Sequence, residues 1–387
     1  MDLLERYRRL ENPKIIGLMS GTSIDAIDAA LVEIKPKLRL LRLASLELPD
    51  GVRRRLHDFF KNKADTAELL KMHWLFGELL AQAAQRVMGE PGTADFIQAD
   101  LIASHGQTVY HLPEGEEYLG FKVRGTLQLG EGAVIAERTR CLTVCDFRPQ
   151  DLAAGGQGAP LVPFVDKTVF YSPDCDRIAL NIGGMANITW IPKDREALCL
   201  ACDTGPGNVL MDRLAEIYLH SSCDRDGALA LRGRVIEELL GELMQHPFLH
   251  RPWPKSTGRE EFGEEMTEAL YERALERGWP IEDLMRTLAA FTAASIAMHI
   301  KTAANGRVEI VTGGGGLKNK AVMLELRNYM GEQAKFISME SLGVPAQARE
   351  AMAFAVLGHC CAMGEPCNLP SATGAERGCV LGKIVMP

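Results

Sequence analysis

The chain has 387 residues, 47% of them apolar, which is too long for one ordinary core and suits two domains. Lys and Arg number 43 against 51 Asp and Glu, a net charge of −8 with no strongly basic region, which argues against nucleic acid as the main partner. A small anionic ligand stays open, because backbone amides and helix N-termini bind phosphate without a basic surface.

The first residues, "MDLLERYRRLENPK", are charged and carry no apolar signal-peptide core. No run of 18 apolar residues follows, so the expectation is a cytoplasmic protein without a membrane span. "KIIGLMSGTS" and "AIDAALVEI" read as two strands joined by a tight polar turn. Residues 51–92 show apolar spacings of three and four and predict long helices. "ADLIASHGQTVYH" predicts a strand ending at residues 104–108, "GEGAVIAERTR" a helix and "CLTVCDF" a strand. The first 150 residues thus alternate strand and helix, an α/β domain with some antiparallel pairing.

Gly/Pro-rich "DLAAGGQGAPLVP" at 151–163 marks a break. The expected domains are 1–150, completed by residues 370–387, and 151–369. In the second, "RIALNIGGMANITWI" repeats the strand–polar turn–strand plan, and "ACDTGPGNVLMDRLAEIYL" reads as strand, glycine loop and helix. Residues 231–305 are mostly helical, "VEIVTGGGGLKNKAVMLEL" is strand, four-glycine turn and helix, and "AQAREAMAFAVLGHCCAM" predicts an amphipathic helix.

The ten cysteines form no regular framework and read as reduced thiols. Cys199 and Cys202 make a CxxC, but in a strand positions i and i+3 face opposite sides, so the expectation is plain core cysteines. "DRDGA" at 224–228 opens like a calcium loop, yet Val235 stands where the twelfth ligand should be, which dismisses calcium.

Three turns rich in small residues could carry chemistry: Ser20–Ile27, Ile182–Asn187 and Gly313–Gly316. Such turns expose consecutive N–H groups and let a ligand approach the backbone, though each alone also reads as an ordinary turn. No GxxxxGK[ST] occurs, so none is a P-loop. Four consecutive glycines exceed what a turn needs and point to close approach of a flat ligand such as a nucleotide. Asp203 in "CDTGPGN" is placed at the end of a buried strand, with Asn208 expected to cap the next helix, leaving Asp203 free as general base or metal ligand. "SHGQT" (104–108) and "PKSTGRE" (254–260) could hold a polyol or be plain loops.

Taken together, "GLMSGTSIDAID", "SHGQT", "GGQGAPLVP", "LNIGGMANIT", "DTGPGNVLMD", "PKSTGRE", "GGGG" and "EAMAFAVLG" resemble, in order and spacing, the anhydro-N-acetylmuramic acid kinases, members of the actin-like group of sugar kinases. The resemblance implies a two-domain actin-like (ribonuclease H-like) α/β fold with ATP in an interdomain cleft. It implies a reaction in which 1,6-anhydro-N-acetylmuramic acid, ATP and water give N-acetylmuramic acid 6-phosphate and ADP during cell-wall recycling. The partners are then ATP and the anhydro amino sugar, with no nucleic acid, no membrane, and a homodimer.

Carried over by motif, Ser20, Gly21, Thr22, Ser23, Ile24, Asp25, Ala26 and Ile27 would grip phosphate, as would Gly183, Gly184 and Asn187. Gly313, Gly314, Gly315 and Gly316 would sit against adenosine. Asp203 matches the family's general base and Glu350 a segment at the cleft; His105, Gln107, Gly156, Gln157 and Asn208 would bind sugar. Mg²⁺ would bridge the phosphates, with Asp25 the first choice to hold it and Asp28 and Asp203 as alternatives. One departure is that the family reads GTSxDGxD where this chain has Ala26; a second is an N-terminal extension of about 13 charged residues, read as a helical or disordered addition of unknown role. The competing readings are another actin-like hexose kinase and a non-catalytic actin-like ATP-binding module.

Overall fold

The structure, a computed structural model, describes residues 2–21, 24–34 and 37–387. Thirteen strands are seen among them: β1 (Lys14–Ser20), β2 (Ala26–Glu33), β3 (Arg39–Glu47), β4 (Leu101–Ser104), β5 (Gln107–Tyr118), β6 (Phe121–Leu129), β7 (Leu142–Cys145), β8 (Asp176–Ile182), β9 (Met185–Ile191), β10 (Leu200–Pro206), β11 (Val308–Gly313), β12 (Ala334–Ser338) and β13 (Lys383–Val385). The chain divides into two compact units, Met1–Val165 with Gly343–Pro387, and Asp166–Leu342.

These bounds differ from the expected ones at both ends of the second unit. Residues 151–165 belong to the first unit because buried Asp151 accepts hydrogen bonds from Asn368 Nδ2 (2.7 Å) and Thr373 Oγ1 (2.8 Å), and the Gln157 N–H donates to the Thr373 carbonyl (2.8 Å). The Gly/Pro-rich stretch is therefore a tightly tied loop rather than a linker.

Each unit carries one large sheet of the same plan. In the first, the order is β13-β7-β4-β1-β2-β3, with β1, β2 and β3 an antiparallel meander and β4 and β7 parallel to β1. In the second, the order is β10-β9-β8-β11-β12, again a meander of β8, β9 and β10 with two parallel strands beyond β8. Short turns allow the antiparallel hairpins, while the parallel strands require helical crossovers. This repeated α/β plan is the actin-like class that the sequence implies. The alternation expected across the first 150 residues begins only after β3.

Two further elements depart from expectation. Strands β5 and β6 form a separate two-stranded arm that the hydropathy pattern conceals. Its outer half, "PEGEEYLGFKVRG", is exposed on both faces, so no apolar alternation marks it. The helix Arg349–Met363, expected to be amphipathic, is buried along nearly its whole length. One side rests on the first sheet. The N-terminal helix Leu3–Arg8 covers another part, through Tyr7 Oη bonded to His359 Nδ1 (2.7 Å) and Arg8 Nε donating to the Ala362 carbonyl (2.7 Å). The extension is thus a helical lid on this element.

Glycine makes that seat possible. A Cβ at Gly17 on β1 would fall well inside contact distance of the Ala351 carbonyl and within 2.8 Å of Ala355 N. Gly358 stands in the same relation to Ala103 on β4. Gly17→Ala must push the helix off the sheet, and such overpacking costs about 1–3 kcal/mol. A lowered denaturant midpoint, with weakened ligand binding from the displaced Glu350, is the expected outcome in equilibrium unfolding and binding titrations; an unchanged midpoint would refute this account of the seat.

Candidate active site

In the first unit, the helix seated on β1 places Glu350 beside the end of the β1–β2 hairpin. A cavity of about 560 Å³ there is lined by Met19, Gly21, Asp25, Ala26, Asp28, Ser45, Glu47, Leu48, Arg53, Gln347 and Glu350. Asp28 accepts a hydrogen bond from Ser45 Oγ, and Arg53 lies 3.9 Å from Asp25, whose side chain is exposed. Thr22 and Ser23 lie outside the described residues. Ile24 and Ile27 point their side chains into the core, so of these two expected phosphate-gripping residues only the backbone can face a ligand.

Polar residues from three segments meet behind the hairpin. Buried Ser20 donates to Gln107 Oε1 (2.6 Å), and the His105 N–H donates to the Leu18 carbonyl (3.0 Å). Arg148 donates from Nε and Nη2 to His105 Nε2 (3.1 and 2.8 Å) and from Nη1 to the Gly158 carbonyl (2.8 Å). Burial, reinforced by the Arg148 charge, holds the His105 imidazole well below its usual range, so it is a neutral acceptor. His105 and Gln107 are thus buried, with His105 Nε2 and Gln107 Oε1 engaged by protein partners. Gly156 packs on the Asp151 carboxylate, and exposed Gln157 donates to Glu114 on β5 (3.1 Å). Sequence reasoning missed Arg148; its only signal was a cation inside the otherwise uncharged-to-acidic run "CDFRPQD".

In the second unit, the predicted motifs converge on one line across the sheet. Asp203 on β10 pairs with Asn187 on β9, Asn187 with Asn181 on β8, and Asn181 with Gly313 on β11. Directly opposed residues share a face, so Asp203, Asn187 and Asn181 form a polar row that ends at the four glycines. Asn181 was not singled out in the sequence, although the period of "IALNI" puts it on that face.

Asp203 lies within β10, which continues to Pro206 past a bulge between Asp203 and Gly205, rather than at the strand's end. Its N–H donates to the Lys255 carbonyl (3.0 Å) and its Oδ2 accepts from the Thr257 N–H (2.9 Å). The loop "PKSTGRE" is therefore wrapped against Asp203. Burial raises the Asp203 carboxyl to about 6; the Thr257 N–H opposes the shift and the Glu260 charge adds to it.

Asn208 occupies the N-cap position of helix Val209–Leu219, but its side chain makes no capping hydrogen bond. The Gly183 and Gly184 carbonyls take its place, accepting from the N–H groups of Asn208 (2.8 Å), Gly207 (2.8 Å) and Val209 (3.1 Å). This ties the β8–β9 turn to the glycine loop. Of the four glycines, three are demanded by packing: a Cβ at Gly313 would strike Met339, at Gly314 the Ile182 backbone, and at Gly316 the Ile182 side chain. Gly315 alone faces open space. The run is therefore mostly structural, and a short 3₁₀ turn, Gly315–Lys318, separates it from helix Lys320–Met330, which Asn319 caps.

Cys199 and Cys202 are buried and not joined in a disulfide, and burial pushes both thiols up. Among the described residues, no group of three or more His, Cys, Asp or Glu side chains is arranged to hold a metal, and no helix is long and apolar enough to cross a membrane.

The family model for anhydro-N-acetylmuramic acid kinase matches residues 13–387. The chain belongs to the anhydro-N-acetylmuramic acid kinase family. A relative of that name from Caldanaerobacter subterraneus subsp. tengcongensis is 41% identical over 397 residues, covering 99% of this chain and all of that protein. Others from Bacillus cereus (38% identical) and Bacillus thuringiensis (37% identical) cover 96% of this chain and 99% of their own length.

Against the kinase family's pattern, the Ala26 departure has a local explanation. Ala26 opens β2 opposite Glu47, and among the described residues of the turn the left-handed one is Ile24 (φ 49°). Position 26 makes no demand for glycine. Ala26→Gly should retain turnover and cost roughly 0.5–1 kcal/mol of stability, the usual penalty for glycine within a strand; a large loss of activity would mean that the turn depends on the methyl group.

Asp203 allows a second test. Its folded pKa of about 6 lies above an ordinary carboxyl value, so wild-type stability is lost as pH rises between the two, while an amide has nothing to ionise. Asp203→Asn should gain stability over wild type on the order of 2 kcal/mol at pH 8, with the gain vanishing below about pH 4. Denaturant titrations at both pH values measure the difference, and an equal gain at both would contradict the raised pKa.

Proposed function

We propose that this kinase opens 1,6-anhydro-N-acetylmuramic acid with water and phosphorylates the freed O6 from ATP, giving N-acetylmuramic acid 6-phosphate and ADP. The observation that carries the reading is Asp203: a carboxylate with a pKa near 6, held by the loop at Lys255–Thr257, at the head of a polar row that leads to the glycine turn. A base with a pKa close to operating pH is the efficient choice for taking a proton from water.

In this reading Asp203 takes a proton from the water that attacks C1 of the sugar. The C1–O6 bond breaks, and O6 gains the negative charge that makes it the nucleophile toward the γ-phosphate. Asn187 and Asn181 orient the polar groups beside Asp203, Gly183, Gly184 and the β1–β2 turn receive phosphate, and Gly313–Gly316 lie under adenosine. Holding water, sugar and nucleotide together supplies most of the rate, as in phosphoryl transfer generally.

Carboxylates at the first-unit cavity suit Mg²⁺, which prefers one or two such ligands and keeps several waters. Asp25 is exposed there, whereas Asp28 is occupied by Ser45; Asp25 would hold the ion. Bound Mg²⁺ neutralises phosphate charge. Glu350, which lines the same cavity, orients substrate or water. The reading brings with it the recycling of cell-wall sugar in the cytoplasm by a homodimer.

Coupled ADP release with the anhydro sugar, against N-acetylmuramic acid and glucose, tests the reaction. Turnover is expected with the anhydro sugar alone, which separates it from a hexose kinase and from a non-catalytic ATP-binding module. In wild type, kcat/KM should rise with pH up to about 6 and then level, because the base works only when ionised. Asp203→Asn should abolish sugar turnover and keep ATP binding in calorimetry; loss of ATP binding would remove Asp203 from the base's role.

A further inference from the structure

The loop that wraps Asp203 has no regular structure to hold it. Residues 251–263, between the 3₁₀ turn Pro247–His250 and helix Glu264–Arg277, form neither helix nor strand. Two backbone groups of this loop nevertheless meet Asp203: the Lys255 carbonyl takes the Asp203 N–H (3.0 Å), and the Thr257 N–H reaches Oδ2 (2.9 Å). Hydrogen bonds of that length demand a fixed loop.

The Lys255 side chain supplies the tie. Its Nζ donates to the Phe248 carbonyl (2.8 Å) and the Leu249 carbonyl (2.7 Å) of the 3₁₀ turn, and lies 4.7 Å from the centre of the Phe248 ring. A cation is favoured both at the carbonyl end of a helical turn and over an aromatic face. Phe248 and Leu249 belong to the core, and Leu249 lies behind the bulge of β10, 3.4 Å from where a Cβ on Gly205 would stand. Glu261 accepts from Thr257 Oγ1 (2.7 Å) and pairs with Arg251, which closes the loop on itself rather than on the core. Trp253 stacks on His299 of helix Ile281–Ala303, so Lys255 is the last anchor before Thr257.

The ammonium acts through position and not through its own field on Asp203. Cys202 and Asp203 are successive residues of β10 and face opposite sides. Burial raises the Cys202 thiol and the Lys255 charge opposes it, whereas Asp203 answers to burial, the Thr257 N–H and the Glu260 charge. Arg251 also faces the ammonium, as does His299, which burial holds neutral with a pKa of about 4 and which lies within the field of His250. Burial lowers the Lys255 pKa, so the fold keeps a partly desolvated cation at this point.

We infer that Lys255 is the positioning residue of the base: its ammonium, clamped on the Phe248 and Leu249 carbonyls, fixes the loop so that the Thr257 N–H stays on Asp203 Oδ2. Lys255 touches no reacting atom. The inference takes the role of Asp203 from the function proposed above, while the tie itself stands on the hydrogen bonds alone. The Thr257 N–H favours the ionised carboxylate. Release of the loop therefore raises the Asp203 pKa further and leaves the base protonated at neutral pH.

Lys255→Met keeps the stem and removes the ammonium. The acid limb of kcat/KM for the anhydro sugar, near pH 6 in wild type, should move up by about 1–2 pH units, the scale of one hydrogen bond to a charged group. The KM for ATP should stay unchanged, and the rate should recover above the displaced limb. Lys255→Gln, which keeps a donor without the charge, should move the limb the same way by less, and serves where the Met variant does not fold. Lys255→Arg should bring the limb back toward its wild-type place. The position of a limb does not depend on the folded fraction, so lost protein cannot mimic the shift. The same shift can be read without turnover: the stability gain from Asp203→Asn grows with pH until Asp203 is ionised, so beside Lys255→Met it should keep growing about 1–2 pH units further. An unmoved limb or an unmoved stability window overturns the inference. So does a lowered plateau with the limb in place, which makes Lys255 a structural tie only. If wild type does not turn over the anhydro sugar, the proposed reaction falls, and the denaturant titrations alone decide on Lys255.

Discussion

The close approach of helix Arg349–Met363 to β1 is the constraint from which the first unit's chemistry follows. Without a side chain at Gly17, the helix backbone rests directly on the strand, and without one at Gly358 it does the same on β4. A helix seated this deeply cannot slide, because its ridges have no free volume to move into. Its first turn, and with it Glu350, is thereby fixed beside the β1–β2 hairpin. Burial all round this helix also explains its composition of small and apolar residues, which an exposed face would not tolerate.

The second unit achieves fixed placement differently. There the backbone of one glycine turn serves as the cap of a helix, and the sheet register alone aligns Asp203, Asn187 and Asn181. Antiparallel register makes neighbours of these residues on three consecutive strands, and a slip of one position in a strand would send its residue to the opposite face. Stability and chemistry conflict at Asp203, where a carboxyl is held in surroundings that disfavour its charge. Such tension is characteristic of groups retained for reactivity.

Much of this was legible in the residues. The hairpins showed themselves because short apolar runs of period two flank small-residue turns, and the glycine motifs fell where the strands end. What escaped detection escaped for physical reasons. The β5–β6 arm is wet on both faces and so carries no hydropathy signal. The domain boundary was misplaced because glycine and proline mark a tight loop as readily as a linker, and only the buried Asp151 hydrogen bonds distinguish the two. Arg148 acquires meaning from His105, 43 positions away, and Asn181 from strands across the sheet, which no local pattern encodes. The four glycines were read as open backbone, yet three of them answer to Met339 and Ile182, partners invisible from the run itself.

The first unit is assembled from both ends of the chain, Met1–Val165 and Gly343–Pro387, while the second is one uninterrupted stretch. Synthesis from the N-terminus therefore completes the second unit before the first. Until residues 349–363 leave the ribosome, the face of β1 and β4 that takes this helix has no cover, and the N-terminal helix has nothing to cap. The first 165 residues wait as an open half-domain with an apolar sheet exposed, the kind of surface that chaperones hold and that aggregates when they do not. Its last-made segment is thus the one that closes its first-made sheet.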